Sequence, residues 1–169
     1  GNSNDWAMVS AGAIHSMALK NNGTLWTWGS NGFGRLGLGT STGIQITPQQ
    51  VDVATDWFKI EAGNISSMAL KSDGTLWGWG NNGFGILGDG TNAQRNSPVQ
   101  VGTDTDWAEI SSGISHTLAL KTNGTLWGWG SGGVGQLGGA IPGNFPQQMG
   151  SQSDWSSVIA GNNNSIAIK

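Results

Sequence analysis

Cysteine is absent from this sequence, and charged residues make up only 10% of it. The absence of cysteine excludes a disulfide scaffold and thiolate metal sites, and it leaves the redox compartment undetermined. Ordinary domains contain about 25% charged residues, so Asn, Ser, Thr and Gln supply most of this chain's polar surface. A composition rich in Asn, Gly, Thr and Trp resembles that of bacterial surface or secreted repeat proteins. We therefore expect an extracellular or cell-surface location in a bacterium.

Basic residues are scarce as well, because seven Lys and Arg stand against ten Asp and Glu, for a net charge of −3. The seven are spread singly along the chain, so no basic stripe is available to neutralise phosphates, and nucleic acid is not an expected partner. No apolar run approaches the roughly 18 residues that a membrane-spanning helix needs, so no membrane partner is expected either.

Glycine and tryptophan are abundant instead, with 30 and 10 residues, and both recur at regular intervals. The stretch Gly23-Thr24-Leu25-Trp26-Thr27-Trp28-Gly29 returns almost unchanged at residues 74–80 and 124–130. A period of about 50 residues lies in the range of propellers and solenoids. We predict a single domain over residues 1–169, with repeats at 5–55, 56–105 and 106–153 and a partial repeat at 154–169.

Each repeat contains four segments with the pattern of short strands. Two alternating segments come first, and the period of two places Phe58, Ile60 and Ala62 on one buried face. Asn-Asn-Gly and similar triplets then predict hairpin turns, and the tryptophan stretch forms the third strand. The fourth segment contains a proline, which favours an outer edge strand. Four antiparallel strands per repeat predict an all-β chain of β-propeller blades, three complete and one half-built.

The tryptophans of the third strands are predicted to form the core of the repeats, because they recur in phase. They are Trp26, Trp28, Trp77, Trp79, Trp127 and Trp129. Exposed indole faces also stack on sugars, so a glycan-binding, lectin-like propeller is an alternative to this interpretation.

A longer motif resembles a known repeat. It reads Gly12-x-x-His15-Ser16-x-Ala18-Leu19, then Gly23-x-Leu25-x-x-Trp28-Gly29-x-Asn31-x-x-Gly34-x-Leu36-Gly37-x-Gly39, and it recurs at residues 63–90 and 113–138. This frame is similar to the repeat of the regulator of chromosome condensation family. The resemblance implies a propeller, usually of seven blades, with the first strand of each repeat innermost and the proline strand outermost.

The partners known in that family are diverse. The resemblance implies a small GTPase and chromatin as partners for the eukaryotic namesake, and β-lactamases for a secreted bacterial inhibitor of this fold. Chromatin binding there uses basic segments, which this chain lacks. We therefore expect a protein partner without specifying which one.

Three patterns that could indicate chemistry favour structural roles. Gly32-Phe33-Gly34-Arg35-Leu36-Gly37 matches a dinucleotide fingerprint, but no helix is predicted to follow it, and such a helix must bind the pyrophosphate. His15 and His116 share one repeat position, which favours a structural polar residue over a catalytic base. The four Asp-Trp pairs are expected to cap turns, too far apart for paired acids. No metal site, no cofactor and no catalytic residue is predicted.

The function predicted from these features is a non-enzymatic propeller that binds another protein through its loops. The candidate binding residues break the repeat or stand on loops, and they are Arg35, Ile86, Arg95 and Phe145. The glycan-binding propeller is the alternative, and an enzyme is a distant third.

The number of strands predicts assembly. Three repeats of four strands and a partial repeat of two give 14, whereas a ring of four to eight four-stranded blades needs about 16 to 32. Two chains supply 28. We therefore expect a homodimer or higher homo-oligomer that closes a ring, or a piece of a longer array.

Overall fold

The computed structural model describes residues 4–169, so the first three residues of the predicted domain lie outside the described part. Within it, fourteen strands form three four-stranded antiparallel sheets and one two-stranded sheet. Blade 1 contains β1 (Trp6–Ala11), β2 (His15–Lys20), β3 (Leu25–Ser30) and β4 (Ile44–Gln50). Blade 2 contains β5 (Trp57–Ala62), β6 (Ser66–Lys71), β7 (Leu76–Gly80) and β8 (Arg95–Gln100).

Blade 3 contains β9 (Trp107–Ser112), β10 (His116–Lys121), β11 (Leu126–Gly130) and β12 (Gly143–Gln148). Half-blade 4 contains only β13 (Ser157–Ala160) and β14 (Ser165–Ile168). A 3₁₀ turn, η1 (Gly32–Gly34), follows β3. The predicted all-β chain of four-stranded blades is confirmed.

Strand order follows chain order in every blade, so each strand pairs with the next through a hairpin or loop. The proline strands β4, β8 and β12 lie at the outer edge, where the missing N–H of proline costs no ladder bond. The first strands of successive blades contact one another, which places them nearest the common axis. Resemblance to the family repeat had implied this arrangement.

A β-bulge corrects one detail of the predicted strand pattern. Phe58 was expected on the buried face with Ile60 and Ala62, but its side chain is 65% exposed. The register between β5 and β6 shifts between Trp57 and Lys59, so one extra residue enters the first strand there. Trp57 therefore takes the buried face in place of its neighbour.

The core lies between blades and repeats from one interface to the next. Met17, Leu19 and Leu25 of blade 1 pack against Trp57, Ile60 and Trp79 of blade 2. The same positions of blade 2 pack against blade 3 in the same way, through Met68, Leu70, Leu76, Trp107, Ile110 and Trp129. Half-blade 4 covers part of the next leucine face, with Val158 against Leu118, Leu120 and Leu126. Each blade is thus stabilised by its neighbours, as in other repeat proteins.

The predicted tryptophan core is confirmed only in part. Trp79 and Trp129 are fully buried, whereas the four other third-strand tryptophans are half-buried. Trp28 occupies the repeat position of Trp79 but belongs to blade 1, and no described residue forms a blade on that side. The open face of blade 1 accordingly leaves Val9 72% exposed beside Trp6 and Trp28.

Candidate interaction surfaces

The loops divide between two faces of the array. Because the strands are antiparallel, the turns that follow first strands and the loops that join third to fourth strands leave from the same edge of each blade. We call this edge the long-loop face; it comprises residues 12–14, 31–43, 63–65, 81–94, 113–115, 131–142 and 161–164. Rigid scaffolds commonly carry their binding residues on such loops.

Arg35 lies on this face, but its side chain points between blades. It is 3% exposed, its Nε donates to the Gly32 carbonyl oxygen at 2.7 Å, and its Nη1 donates to the Asn64 carbonyl oxygen at 3.4 Å. Burial lowers the pKa of the guanidinium. Ile86 has the same repeat position and is completely buried. The expectation that Arg35 and Ile86 offer contacts to a partner is therefore corrected, because this position packs against the next blade.

The backbone carbonyl oxygen of Arg35 accepts hydrogen bonds from blade 2, and these bonds hold this position against the neighbouring blade. Trp79 Nε1 donates to it at 2.9 Å, and Ser67 Oγ donates to it at 2.8 Å, both from blade 2. At the next interface, Trp129 Nε1 and Thr117 Oγ1 donate to the Ile86 carbonyl oxygen at 2.8 and 2.9 Å. The inter-blade contact therefore needs a backbone acceptor here and is indifferent to the side chain, which is why the sequence varies.

His15 extends the same network. Its Nε2 lies 2.8 Å from Ser67 Oγ, and because that hydroxyl donates to Arg35, the imidazole must carry its proton on Nε2. Burial, and then the positive charge of Arg35, lowers the pKa of His15 to about 4. His116 lies 3.0 Å from Ser165 Oγ in the same arrangement, and burial lowers its pKa as well. Both histidines are buried, so they hold blades together and are not placed to meet a substrate.

Arg95 and Phe145, the other two predicted binding residues, remain accessible. The Arg95 Nε forms an ion pair with Asp89 Oδ2 at 2.6 Å, and its Nη2 donates to Thr91 Oγ1 at 3.2 Å. Burial opposes ionisation of Asp89, but hydrogen bonds from Thr91 and Arg95 hold its pKa below the usual range. Phe145 is 54% exposed on the outer strand β12. Their role in binding stays a prediction.

Sequence reasoning missed the loop tips. Phe33, Phe84 and Val134 share one repeat position, and all three side chains are exposed. Phe33 has a φ of +62°, a left-handed conformation that is rare for a bulky residue. Phe84 borders a groove of about 380 Å³ that runs to Pro142 and Asn144, and Asn144 directly precedes Phe145 in the chain. The sequence does signal these loop tips, because an apolar residue recurs beside the turn glycines in each repeat. We gave that position little weight because aromatic residues are common there in the family.

The Asp-Trp pairs differ from the turn caps that the sequence predicted. Lys71 Nζ lies 3.1 Å from Asp56 Oδ1 and 4.9 Å from the ring centroids of both Trp57 and Trp77. The same lysine clamp recurs through Lys20 in blade 1 and Lys121 in blade 3. In half-blade 4, Lys169 contacts Asp154 and the single indole of Trp155. Each carboxylate thus neutralises a lysine at the edge opposite the long-loop face. Residues 4–169 contain no group of three or more His, Cys, Asp or Glu side chains placed to hold a metal ion.

None of the helical segments in residues 4–169 has the length and apolar character of a membrane span. The segments that match the dinucleotide fingerprint form tight turns between third and fourth strands. Without a helix after them, no array of N-terminal amides faces a pyrophosphate.

The fold and the repeat agree with comparisons to known proteins. A family model described as the Regulator of chromosome condensation (RCC1) repeat matches residues 22–70 and 73–120, more than half of the chain. A second model with the same description matches residues 59–86 and 107–136.

Among similar sequences, the probable E3 ubiquitin-protein ligase HERC4 of Homo sapiens is 38% identical over 82 residues, which are 47% of this chain and 8% of the ligase. The ultraviolet-B receptor UVR8 of Arabidopsis thaliana is 37% identical over 93 residues, which are 54% of this chain and 21% of the receptor. This chain therefore spans only a small part of the length of these relatives.

Among solved structures, Prp20p of Saccharomyces cerevisiae superimposes with a TM-score of 0.88 at 20% identity, over 98% of this chain and 44% of Prp20p. That protein was characterised with its binding properties to Gsp1p and histones, and it has also been crystallised with Kap60. Human WBSCR16 gives a TM-score of 0.79 at 20% identity, over 94% of this chain and 44% of that protein. At such identities the likeness shows the fold alone.

Proposed function

Because the chain belongs to the Regulator of chromosome condensation (RCC1) repeat family, we propose that it is a non-enzymatic scaffold whose long-loop face binds another protein. The observation that carries this proposal is the row of exposed apolar loop tips, Phe33, Phe84 and Val134, one on each complete blade. Contiguous exposed apolar patches mark protein interaction sites, and these three side chains occupy the same position of successive blades. The binding of Gsp1p, histones and Kap60 by a structurally similar propeller supports the class of function.

Within that face, the groove between Phe84 and Pro142 is the proposed centre of contact. Phe145 lies next to it on the chain, and Arg95 with its partner Asp89 supplies a charged neighbour on blade 2. Aromatic and arginine side chains are enriched among residues that dominate binding energy. Arg95 and Phe145 are thus kept as binding residues, and Phe84 joins them.

The alternative of glycan binding gains no support from the indoles that lie at the blade interfaces or in the lysine clamps. Trp57, Trp79, Trp107 and Trp129 are buried, and lysine clamps occupy one face of the half-buried Trp26, Trp77 and Trp127. Assembly into a ring, or continuation of the array in a longer chain, remains part of the proposal, because the open face of blade 1 and the outer face of half-blade 4 both expose apolar side chains. An extracellular or cell-surface location likewise remains a proposal.

The binding proposal is tested with a partner identified by cross-linking and affinity capture. We expect the double variant Phe84→Ser, Phe145→Ser to bind that partner at least about tenfold more weakly, as measured by surface plasmon resonance. Val53→Ser is the matched control, because Val53 is 94% exposed but follows a fourth strand, on the opposite edge. Equal loss in both variants, or no loss in the double variant, refutes the placement on the long-loop face.

A further inference from the structure

Four Asn-Gly pairs occur in the sequence, and the fold places them in two different settings. Asn22 and Asn123 lie in the hairpin turns between second and third strands, and both are exposed. Asn31 and Asn82 lie in the loops after third strands, where they are 0% and 1% exposed. Because glycine has no Cβ, its backbone nitrogen is the least hindered in approaching the side-chain amide carbon of the preceding asparagine.

The side-chain carbonyl of each turn asparagine is held by two donors. Asn22 Oδ1 accepts hydrogen bonds from Thr24 N at 3.2 Å and from Thr24 Oγ1 at 2.7 Å. The Thr24 hydroxyl accepts a hydrogen bond from Trp26 Nε1 at 2.9 Å, so its own proton is directed at Asn22. Asn123 repeats the arrangement with Thr125, at 3.1 and 2.7 Å. Two donors therefore point at the oxygen on which negative charge develops when a nucleophile attacks Cγ.

The same hydrogen bonds keep the electrophile beside the nucleophile. The ring that Asn22 Oδ1 closes with Thr24 N includes both Asn22 Cγ and the nitrogen of Gly23. The Gly23 N–H donates to the Lys20 carbonyl oxygen at 2.9 Å, and this bond must open before the nitrogen attacks. Exposed turns open locally at low free-energy cost. Asp73, at the same position of blade 2, is also exposed although a blade lies on each side, so the exposure belongs to the turn itself.

The two loop asparagines are bound in a way that opposes the same attack. Asn31 Oδ1 accepts a hydrogen bond from Leu36 N, and its Nδ2 donates to the carbonyl and hydroxyl oxygens of Thr40 at 3.1 and 2.9 Å. Asn82 Nδ2 donates to Asp89 Oδ1 at 3.0 Å. The nitrogen that would have to leave as ammonia is therefore fixed by acceptors and shielded from water.

We propose that Asn22 and Asn123 are sites of spontaneous deamidation, in which the hairpin turn supplies both the nucleophile and the stabilising donors. The nitrogen of Gly23 or Gly124 gives up its proton and forms a bond to the asparagine Cγ. The Cγ–Nδ2 bond breaks, and Nδ2 takes up a proton and leaves as ammonia. Water then opens the resulting cyclic imide at either of its two carbonyls, which gives aspartate or isoaspartate. Water is the only co-reactant.

Blade 2 already contains the aspartyl product at this position. Asp73 Oδ1 accepts hydrogen bonds from Thr75 Oγ1 at 2.7 Å and from Thr75 N at 3.0 Å, as the asparagines do in blades 1 and 3. These bonds from the Thr75 hydroxyl and amide lower the pKa of Asp73, so its carboxylate stays ionised and resists renewed attack. Conversion at both sites adds two negative charges to the net charge of −3. They lie on the edge opposite the long-loop face, so this proposal is independent of binding there.

The test follows all four asparagines in the folded full chain during incubation at physiological temperature and mildly alkaline pH. Tryptic digestion and tandem mass spectrometry locate each conversion of a side-chain amide to an acid. We expect Asn22 and Asn123 to convert at least about tenfold faster than Asn31 and Asn82, because only the turns open at low cost. The four rates should become similar in urea, where the fold no longer separates the pairs.

Two variants test the role of the hydroxyl donor. Thr24→Val removes the hydroxyl and keeps the shape of the side chain, whereas Thr24→Ser keeps the hydroxyl. We expect conversion at Asn22 to be about tenfold slower in Thr24→Val and to recover in Thr24→Ser, because a donor to a developing oxyanion accelerates acyl transfer by at least that factor. Asn123 is the matched control within the same molecule, and its rate should not change.

Three outcomes overturn the proposal. They are equal rates at the turn and loop asparagines in the folded chain, no conversion of either turn asparagine, and unchanged or faster conversion at Asn22 in Thr24→Val. If Thr24→Val does not fold, the comparison of the four asparagines in the parent chain still decides.

Discussion

The buried histidine at the interface of blades 1 and 2 predicts a defined dependence of stability on pH. His15 is 3% exposed, and burial together with Arg35 lowers its pKa from 6.5 to about 4. The unfolded chain therefore binds a proton at this site before the folded chain does. The stability contributed by neutral His15 is complete above about pH 6.5 and is lost as the pH falls from there toward 4. A difference of about 2.5 pKa units, at 1.36 kcal/mol per unit, makes the loss about 3 kcal/mol.

The perturbation is His15→Asn, which places at this position the residue that half-blade 4 has at Asn164. Urea unfolding of both proteins between pH 7.5 and 4 gives the free energy of unfolding at each pH. We expect the advantage of the parent chain over the variant to shrink by about 3 kcal/mol across that range. Glu61, Asp89 and His116 titrate in both proteins, so their contributions largely cancel in the difference. A difference that is constant with pH, or an NMR titration of His15 near 6.5, refutes the reasoning.

Three further predictions concern packing and assembly. Trp79→Phe removes the hydrogen bond from the indole to the Arg35 carbonyl oxygen, and it should lower the free energy of unfolding by about 1–3 kcal/mol in urea titrations. Trp28→Phe, on the open face of blade 1, should lower it by less than about 0.5 kcal/mol. Gly74→Ala should cost about 1–3 kcal/mol more than Gly90→Ala in the same assay. The two glycines have similar φ values, +80° and +79°, but only a Cβ on Gly74 would meet backbone, at the carbonyl oxygen of Thr105. Light scattering should give a multiple of 17.5 kDa if the apolar end faces associate.

Each of these predictions has a contrary outcome. Equal effects of the two tryptophan changes would mean that the bond to the carbonyl oxygen adds nothing to packing. Equal effects of the two glycine changes would mean that the contact with the neighbouring linker relaxes freely. A folded 17.5 kDa monomer with no tendency to associate would contradict self-assembly.

The blade itself was predictable from sequence because its determinants are local. Period-two alternation, Asn-Gly turns and edge prolines act within a few residues, and they recur in every copy. The family frame added the order of the strands from axis to rim. Function was predicted only as a class, because binding depends on exposed side chains that the repeat does not constrain.

The candidate site residues show where local reasoning fails. Arg35 and Ile86 break the repeat and were therefore expected to bind a partner, yet the fold uses only their carbonyl oxygens and buries their side chains. The loop tip Phe84 looked ordinary because its position recurs, and it is exposed. Variation between repeats at one position shows that the fold does not require a particular side chain there. Only the structure shows whether that side chain faces a partner or the next blade.

Local sequence is enough to predict the strands, the turns and the four-stranded blade, because hydrogen bonding between adjacent strands and the conformations of glycine and proline depend on near neighbours in the chain. Tertiary structure decided which repeated residues are core. Trp28 and Trp79 stand in the same motif, but only Trp79 is fully buried, because burial depends on a neighbouring blade and not on the motif.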